Sequence, residues 1–398
     1  MKNSYLTLYV EINDTNFIFF VTENDEQNNF KLSFKLAVPL NGIENNRITD
    51  YDIVYNIIKE NIYFIEQKFN HTFKDIVLII ENFNPKFVNI SGFKKLNGSQ
   101  ILRENITYIL NTLKSYVDKI EINKNVVHIF NSKFNLDNKK IENLPIGLFG
   151  DFYSHELSFV LINSNDHRNL KNIFNKCNLK IKKILIKSFV EGAVINKNYK
   201  DNDTFFYIKI NENNSKIFYF ENNSLKSEQN FKFGMNIILK DISKITALKI
   251  DTIKNFLDKT LLTNELSEDD LIENSFFQNI DYIKIKKKLI YQIASARVQE
   301  LFELMFLKNI NFHHYNKVSN VIYLEIDKNL NYKGLEEIYK TVFSMNGKFD
   351  FNILDDLSDD STLDIANELV HFGWKKEAIP VTQSKKTLIA RFFDVIFG

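Results

Sequence analysis

The chain has 398 residues, with 51 basic and 50 acidic side chains and a formal net charge of +1, so it lacks the concentrated positive charge that gathers nucleic acid. Hydrophobic residues make up 44% and charged residues 25%, enough to bury a core in a chain of two lobes or up to about three domains. Its single cysteine, Cys177, excludes an internal disulfide and a cysteine metal site.

In chain order, residues 5–12 (YLTLYVEI) alternate as a strand does, and Phe17–Val21 form a second aromatic, β-branched run. Asn13-Asp14-Thr15-Asn16 between them reads as a tight turn. A helix is predicted over 51–69, with Ile53, Ile57, Ile58, Ile62, Ile65 and Phe69 on one face. Ile76–Ile80 (IVLII) then reads as a fully buried strand. A helix at 99–118, strands at 125–136 and 155–163, and a helix at 166–177 follow.

Residues 207–220 (YIKINENNSKIFYF) repeat the shape of residues 9–20 (YVEINDTNFIFF): strand, Ile-Asn, polar turn, aromatic strand. Two such hairpins, each opening one half of the chain, point to a duplicated α/β domain. The second half continues with a helix-rich stretch at 235–310, a strand at 320–326 and a helix at 333–345. An acidic stretch at 355–360 then precedes a short helix ending near His371. His313 and His314 are adjacent, so they cannot both face one metal in regular structure. Glycine is scarce: 11 in all, none adjacent and none in a G-x-G spacing. The usual glycine-rich phosphate loop, in which backbone N–H groups meet phosphate with no Cβ in the way, is therefore missing.

At the C-terminus, Leu388, Ile389, Phe392, Phe393, Ile396 and Phe397 fall on one helical face, with Lys385, Lys386, Arg391 and Asp394 off it. A helix over 386–397 would be roughly 18 Å long, too short to span a bilayer. It suits an in-plane interfacial helix on anionic lipid. No apolar run reaches the roughly 18–20 residues of a spanning helix. The N-terminal MKNSYLTLYVEIN has neither the basic segment nor the apolar core of a signal peptide. The cytoplasmic side of the membrane is the expected location.

Residues 126–150 (VVHIFNSKFNLDNKKIENLPIGLFG) resemble a segment of the bacterial cell-division FtsA family in which "VLHxxPxxYxxD" leads to "NPxGLxG". Val127, His128, Phe134, Asp137, Asn143, Pro145, Gly147 and Gly150 match it, with Leu144 inserted. Residues 166–180 resemble the family's "NLxKxxxxxGL" helix, 293–305 its "IIExRxEEIFEL" helix, and 359–374 its final "NPxxATAxGL" helix. Phe233-Gly234 matches the "FG" before "TxDIA". The motifs stand in the same order over nearly the whole chain.

The resemblance implies an actin-like, duplicated two-lobe fold of the ribonuclease-H-like class, with subdomain 1C relocated. It divides the chain into subdomain 1A (1–81 and 183–200), 1C (82–182), 2A (201–236 and 315–375) and 2B (237–314). A linker (376–384) and a membrane-targeting helix (385–398) follow. It also implies a scaffold that binds the FtsZ C-terminal tail through the 293–305 helix, with Arg297, Glu300, Lys286 and Lys287 as contact residues. Such a scaffold self-associates into filaments and recruits later division proteins at the division site.

The family's nucleotide loops are degenerate here. "LDIGTSK" corresponds to Val10–Asn16, placing Glu11, Asn13, Thr15 and Asn16 at its functional positions. "DIGGGTTD" corresponds to Lys209–Lys216, so that Lys209 and Lys216 replace both acids and Asn211 a glycine. The adenosine loop falls near Leu324–Asp327, also without glycine. Gly234, the glycine of the matched "FG", is the remaining residue assigned to the cleft. No cofactor, no catalytic residue and no metal are expected, and ATP hydrolysis is not. The rival readings are a PilM-like adaptor of type IV pilus assembly and an active actin-superfamily ATPase.

Overall fold

A computed structural model describes residues 5–25, 30–81, 83–200, 202–277, 281–315, 318–319, 321–327, 332–345, 349–355, 357–374 and 376–378. The expected tail helix at 385–398 and the linker from 379 lie outside these residues. The contacts divide the chain into two units. The first holds 33–185 and both chain ends; the second is essentially 186–369. Residues 186–200, expected in subdomain 1A, therefore go with the second unit.

In the first unit, β1 (Tyr5–Ile12) and β2 (Asn16–Asn24) form the expected antiparallel hairpin, followed by β3 (Phe30–Pro39). A short pair, β4 (Ile43–Glu44) and β5 (Arg47–Ile48), leads to α1 (Tyr51–Phe69), capped by the Asp50 carboxylate on the Ile53 N–H. The buried stripe of α1 is Val54, Ile58, Ile62 and Ile65. Ile53, expected inside, is 44% exposed: the i, i+4, i+8, i+11 spacing from Val54 points at the sheet and turns Ile53 away. β6 (Asp75–Ile80) pairs parallel with β1 and is buried from Ile76 to Ile80. β11 (Lys180–Ile186) completes the sheet order β3-β2-β1-β6-β11.

Between β6 and β11 lies a separate antiparallel sheet of β7 (Lys86–Lys95), β10 (Phe152–Asn163), β8 (Lys124–Leu136) and β9 (Lys139–Ile141), in that order. α2 (Arg103–Ile120) buries Ile109, Leu110, Leu113 and Val117 against it. The helix begins later than the predicted residue 99, because residues 99–101 are held to the 147–150 loop by backbone bonds. α3 (Ser164–Lys176) follows β10.

In the second unit, α4 (Lys187–Asn198) is buried from Ser188 to Asn196. It lies so close to the second hairpin that a Cβ on Gly192 would sit 2.1 Å from the Phe220 ring. β12 (Phe205–Ile210) and β13 (Ser215–Glu221) form that hairpin, and β14 (Ser224–Phe231) continues it. α5 (Met235–Thr246), α6 (Ile250–Lys259) and α7 (Lys287–Phe302) follow, then β15 (Val321–Ile326), α8 (Lys333–Met345), β16 (Asp350–Ile353) and α9 (Asp359–His371). Sheet order is β14-β13-β12-β15-β16, with β12–β15 and β15–β16 parallel. This is the order of the first sheet, strand for strand.

The repeat extends to single hydrogen bonds. Asn13 N–H donates to Asn16 O (3.1 Å) and Asn211 N–H to Asn214 O (2.9 Å). Glu81 N–H reaches Ile12 O (2.9 Å) and Asp327 N–H reaches Ile210 O (3.1 Å). Among the described residues, no helix is long and apolar enough to cross a membrane.

Residues 376–378, expected to open the linker, are docked instead. Asn131 N–H donates to Lys376 O (2.6 Å), Ala378 N–H donates to Ile129 O (2.7 Å), and Glu377 bridges to Phe130. The segment adds to the free edge of β8, where strand backbone groups need partners.

Candidate functional site

The two hairpin turns carry the residues that the resemblance places at a nucleotide. In the first turn, the Asn13 side-chain oxygen accepts from the N–H groups of Thr15 (3.0 Å) and Asn16 (2.7 Å). An Asx turn of this kind consumes the donors that a phosphate would otherwise meet. The Asn13 side-chain nitrogen points back to Glu11 Oε1 (3.4 Å), and Glu11 is buried.

In the second turn, Asn211 Nδ2 donates to Asn214 Oδ1 (2.8 Å). The first N–H groups of α5 bond the turn itself: Met235 to Asn211 O (3.0 Å) and Asn236 to Glu212 O (2.9 Å). A helix N-terminus attracts anions through such unmatched donors, and here these two are matched. Gly234 permits the contact, since a Cβ there would meet Asn211 O at 2.3 Å.

Lys209, on β12, lies against acids from one helix and one neighbouring strand. Its Nζ is 2.9 Å from Glu191 Oε1 on α4 and 3.9 Å from Glu325 Oε1 on β15. The Tyr207 hydroxyl donates to Glu325 Oε2 and lies 3.4 Å from Glu191 Oε2. The two carboxylates are 4% exposed and the lysine 13%. Lys216, opposite Lys209 across the hairpin, is buried too. A metal-bound phosphate needs free backbone donors and acids open to the ion. Here the N–H groups of Thr15, Asn16, Met235 and Asn236 already have acceptors, and the acids beside β12 already hold an ammonium. Among the described residues, no group of three or more His, Cys, Asp or Glu side chains is arranged to hold a metal.

The expected partner surface is a groove of about 660 Å³ lined by Asp241, Lys244 and Ile245 of α5 and Gln292, Ile293, Ala296, Arg297 and Glu300 of α7. Arg297, expected to meet an acidic peptide, is already bonded through Nε to Asp241 and through Nη1 to Glu300 (2.5 Å). The bond to Asp241, with the charges of Asp241 and Glu300, raises its guanidinium pKa against the opposing effect of burial. Lys286 lies 3.7 Å from Glu268, and Lys287 lies 2.5 Å from Glu273. The structure thus brings Arg297 and Glu300 into one groove and places Lys286 and Lys287 at the start of α7, outside the groove lining. Ile245, 59% exposed, is an apolar residue of this lining that the sequence pattern did not single out.

Glu377 of the docked C-terminal segment was likewise not anticipated. Its carboxylate accepts from His128 Nδ1 (2.8 Å) and Lys183 Nζ (2.7 Å). Burial pushes this carboxyl up, but His128 and Lys183 together more than offset it and hold it below the usual glutamate value. Lys376 Nζ bonds Glu142 O (3.0 Å) and sits 5.5 Å from the Phe134 ring centre. Glu191 had one signal in the sequence, as a charge inside the apolar run SFVEGAVI. Glu377 had none.

No family profile matches the chain. It is 22% identical over 242 residues to the cell division protein FtsA of Buchnera aphidicola subsp. Schizaphis graminum, covering 61% of this chain and 57% of that protein. It is 20% identical over 254 residues to FtsA of Buchnera aphidicola subsp. Acyrthosiphon pisum, covering 64% and 60%. The matches thus span under two thirds of these relatives' length. A solved PilM–PilN type IV pilus biogenesis complex superposes with a TM-score of 0.51 at 10% identity, over 93% of this chain and 96% of that one. This likeness carries the fold.

Proposed function

The chain being FtsA-like in sequence and actin-like in fold, we propose that it is a cell-division scaffold that works without hydrolysing ATP. It ties the FtsZ polymer to the cytoplasmic face of the bacterial inner membrane and supports ring assembly and the arrival of later division proteins. The observation that carries the reading is the sequence likeness to FtsA proteins, joined to the ordered family motifs at 126–150, 166–180, 293–305 and 359–374. The FtsZ tail would lie in the α5–α7 groove, with Ile245 and Ile293 as apolar contacts. Arg297 would exchange Asp241 or Glu300 for a carboxylate of the peptide. Residues 385–398 would supply a weak interfacial anchor, made firm when many copies act together.

The test has two arms. Removing 385–398 is expected to shift the protein from membrane to cytosol, and an unchanged distribution rejects the anchor. Fluorescence anisotropy with an FtsZ C-terminal peptide should show binding that Arg297→Ala weakens about tenfold, the scale of losing one charge contact. No binding to the wild-type chain rejects the FtsZ arm. A second reading, a pilus adaptor, is favoured by the superposition on PilM. Retention of a PilN peptide in place of the FtsZ peptide decides for it. ATP binding is expected to be lost, and saturable uptake of a fluorescent ATP analogue at micromolar concentration would refute that.

A further inference from the structure

Residues 376–378 sit on the first unit as a bound peptide sits on its receptor. Two ladder bonds, Asn131 N–H to Lys376 O and Ala378 N–H to Ile129 O, set an antiparallel register with Glu377 opposite Phe130. Each of the three side chains then has its own place. The Lys376 ammonium bonds Glu142 O and lies over the Phe134 ring. The Glu377 carboxylate, 10% exposed, accepts from His128 of β8 with one oxygen and from Lys183 of β11 with the other. Ala378 packs on the core beneath β8. Main-chain bonds for affinity, with separate places for successive side chains, are how a sheet edge recognises an extended peptide. The hold is short and mostly polar. Of the three residues Ala378 is the one in the apolar core, and it brings a single methyl, so little buried apolar area keeps the segment down. Just upstream, Gly373 has φ +74°, and a Cβ there would meet nothing within 4 Å, so the chain has room to pivot. Segments held by few apolar contacts open at the low end of a protein's stability range.

We propose that the 129–131 edge of β8 is a recognition site for an extended basic–acidic–small peptide, and that this chain's own residues 376–378 occupy it as an autoinhibitory latch. His128 and Lys183 select the acid, and the two ladder bonds select the extended backbone. While the latch is closed, the edge is shut to other strands, and whatever follows residue 378 starts from β8. Opening it frees the edge and adds residues 374–378 to the tether, about 17 Å when extended. These contacts stand whether or not the membrane and FtsZ reading holds.

The test uses the full-length chain and, as probe, a fluorescent synthetic peptide of residues 372–381 followed by anisotropy. Glu377→Ala with Ala378→Pro removes the acid and the N–H that meets Ile129 O, and so empties the edge without touching β8. The peptide should bind this double variant at least about tenfold more tightly than it binds the wild-type chain, whose site is filled. Adding Lys183→Glu to the double variant should weaken that binding by about tenfold or more, because the acid then meets a like charge. Should the double variant fail to fold, amide exchange of the wild-type chain reads the same point. The Asn131 N–H, whose acceptor is Lys376 O, should exchange at least about tenfold faster than global unfolding allows. Exchange of Asn131 only with global unfolding overturns the latch. So does peptide binding to neither chain, which makes 376–378 a fixed part of the sheet, and so does equal binding to both, which places the peptide elsewhere. A wild-type dimer in analytical ultracentrifugation that the double variant abolishes overturns it as well, by putting the segment on the edge of a second copy.

Discussion

Asn13 and Gly234 close the two hairpin turns in opposite ways. Asn13 closes the first turn with its own side chain, accepting two backbone N–H groups. Gly234 closes the second by having no side chain, so that α5 can press on residues 211–214. Asn13→Ala should cost about 1–2 kcal/mol, the worth of two partly exposed hydrogen bonds. Gly234→Ala forces a methyl into backbone and should cost about 2–3 kcal/mol. Denaturant midpoints of both variants check the order, and a Gly234→Ala protein as stable as wild type contradicts the close approach.

At the scale of elements, β10 holds a group that ties stability to pH. Burial pushes the His155 imidazole down to about 4, where it stays neutral and bonds Asn131 Oδ1 at 2.9 Å. The unfolded imidazole titrates near its ordinary value, about 6.5. The stabilisation is therefore complete above that value and is lost as pH falls toward 4, by about 3 kcal/mol in all. His167, through burial and then Lys171, shifts in the same direction. A second step comes lower. Glu377 is held below the usual glutamate value, so the docked segment keeps its ion pairs above that value and loses them as pH drops beneath it. Urea midpoints taken from pH 7 down should show the first decline, and His155→Gln should flatten it. A wild-type profile level across that range would deny a buried neutral imidazole.

For the whole molecule, the residues before and after 379 have separable effects. Ala378 packs on the core beneath β8, and Glu377 is locked to His128 and Lys183. Deletion of 379–398 should leave the melting temperature within about 2 °C of wild type, whereas deletion of 374–398 should lower it by about 5 °C or more. Differential scanning calorimetry distinguishes the two. Equal effects from both deletions would mean that 376–378 contribute nothing to stability.

By itself the sequence determined the two hairpins, the buried strand at 76–80, the helices at 51–69, 166–177 and 333–345, and the glycine-poor turns. Each depends on neighbours within a few residues, through a period of two or 3.6 and through turn chemistry, and these are written locally. Tertiary structure alone decided which acids hold Lys209, which face of α1 is buried, that Arg297 is paired to Asp241, and that 376–378 join β8. Glu377 meets His128 across 249 positions of chain. Such a meeting is set by how finished elements pack and by the need to neutralise each buried charge, and neither leaves a periodic mark on the sequence.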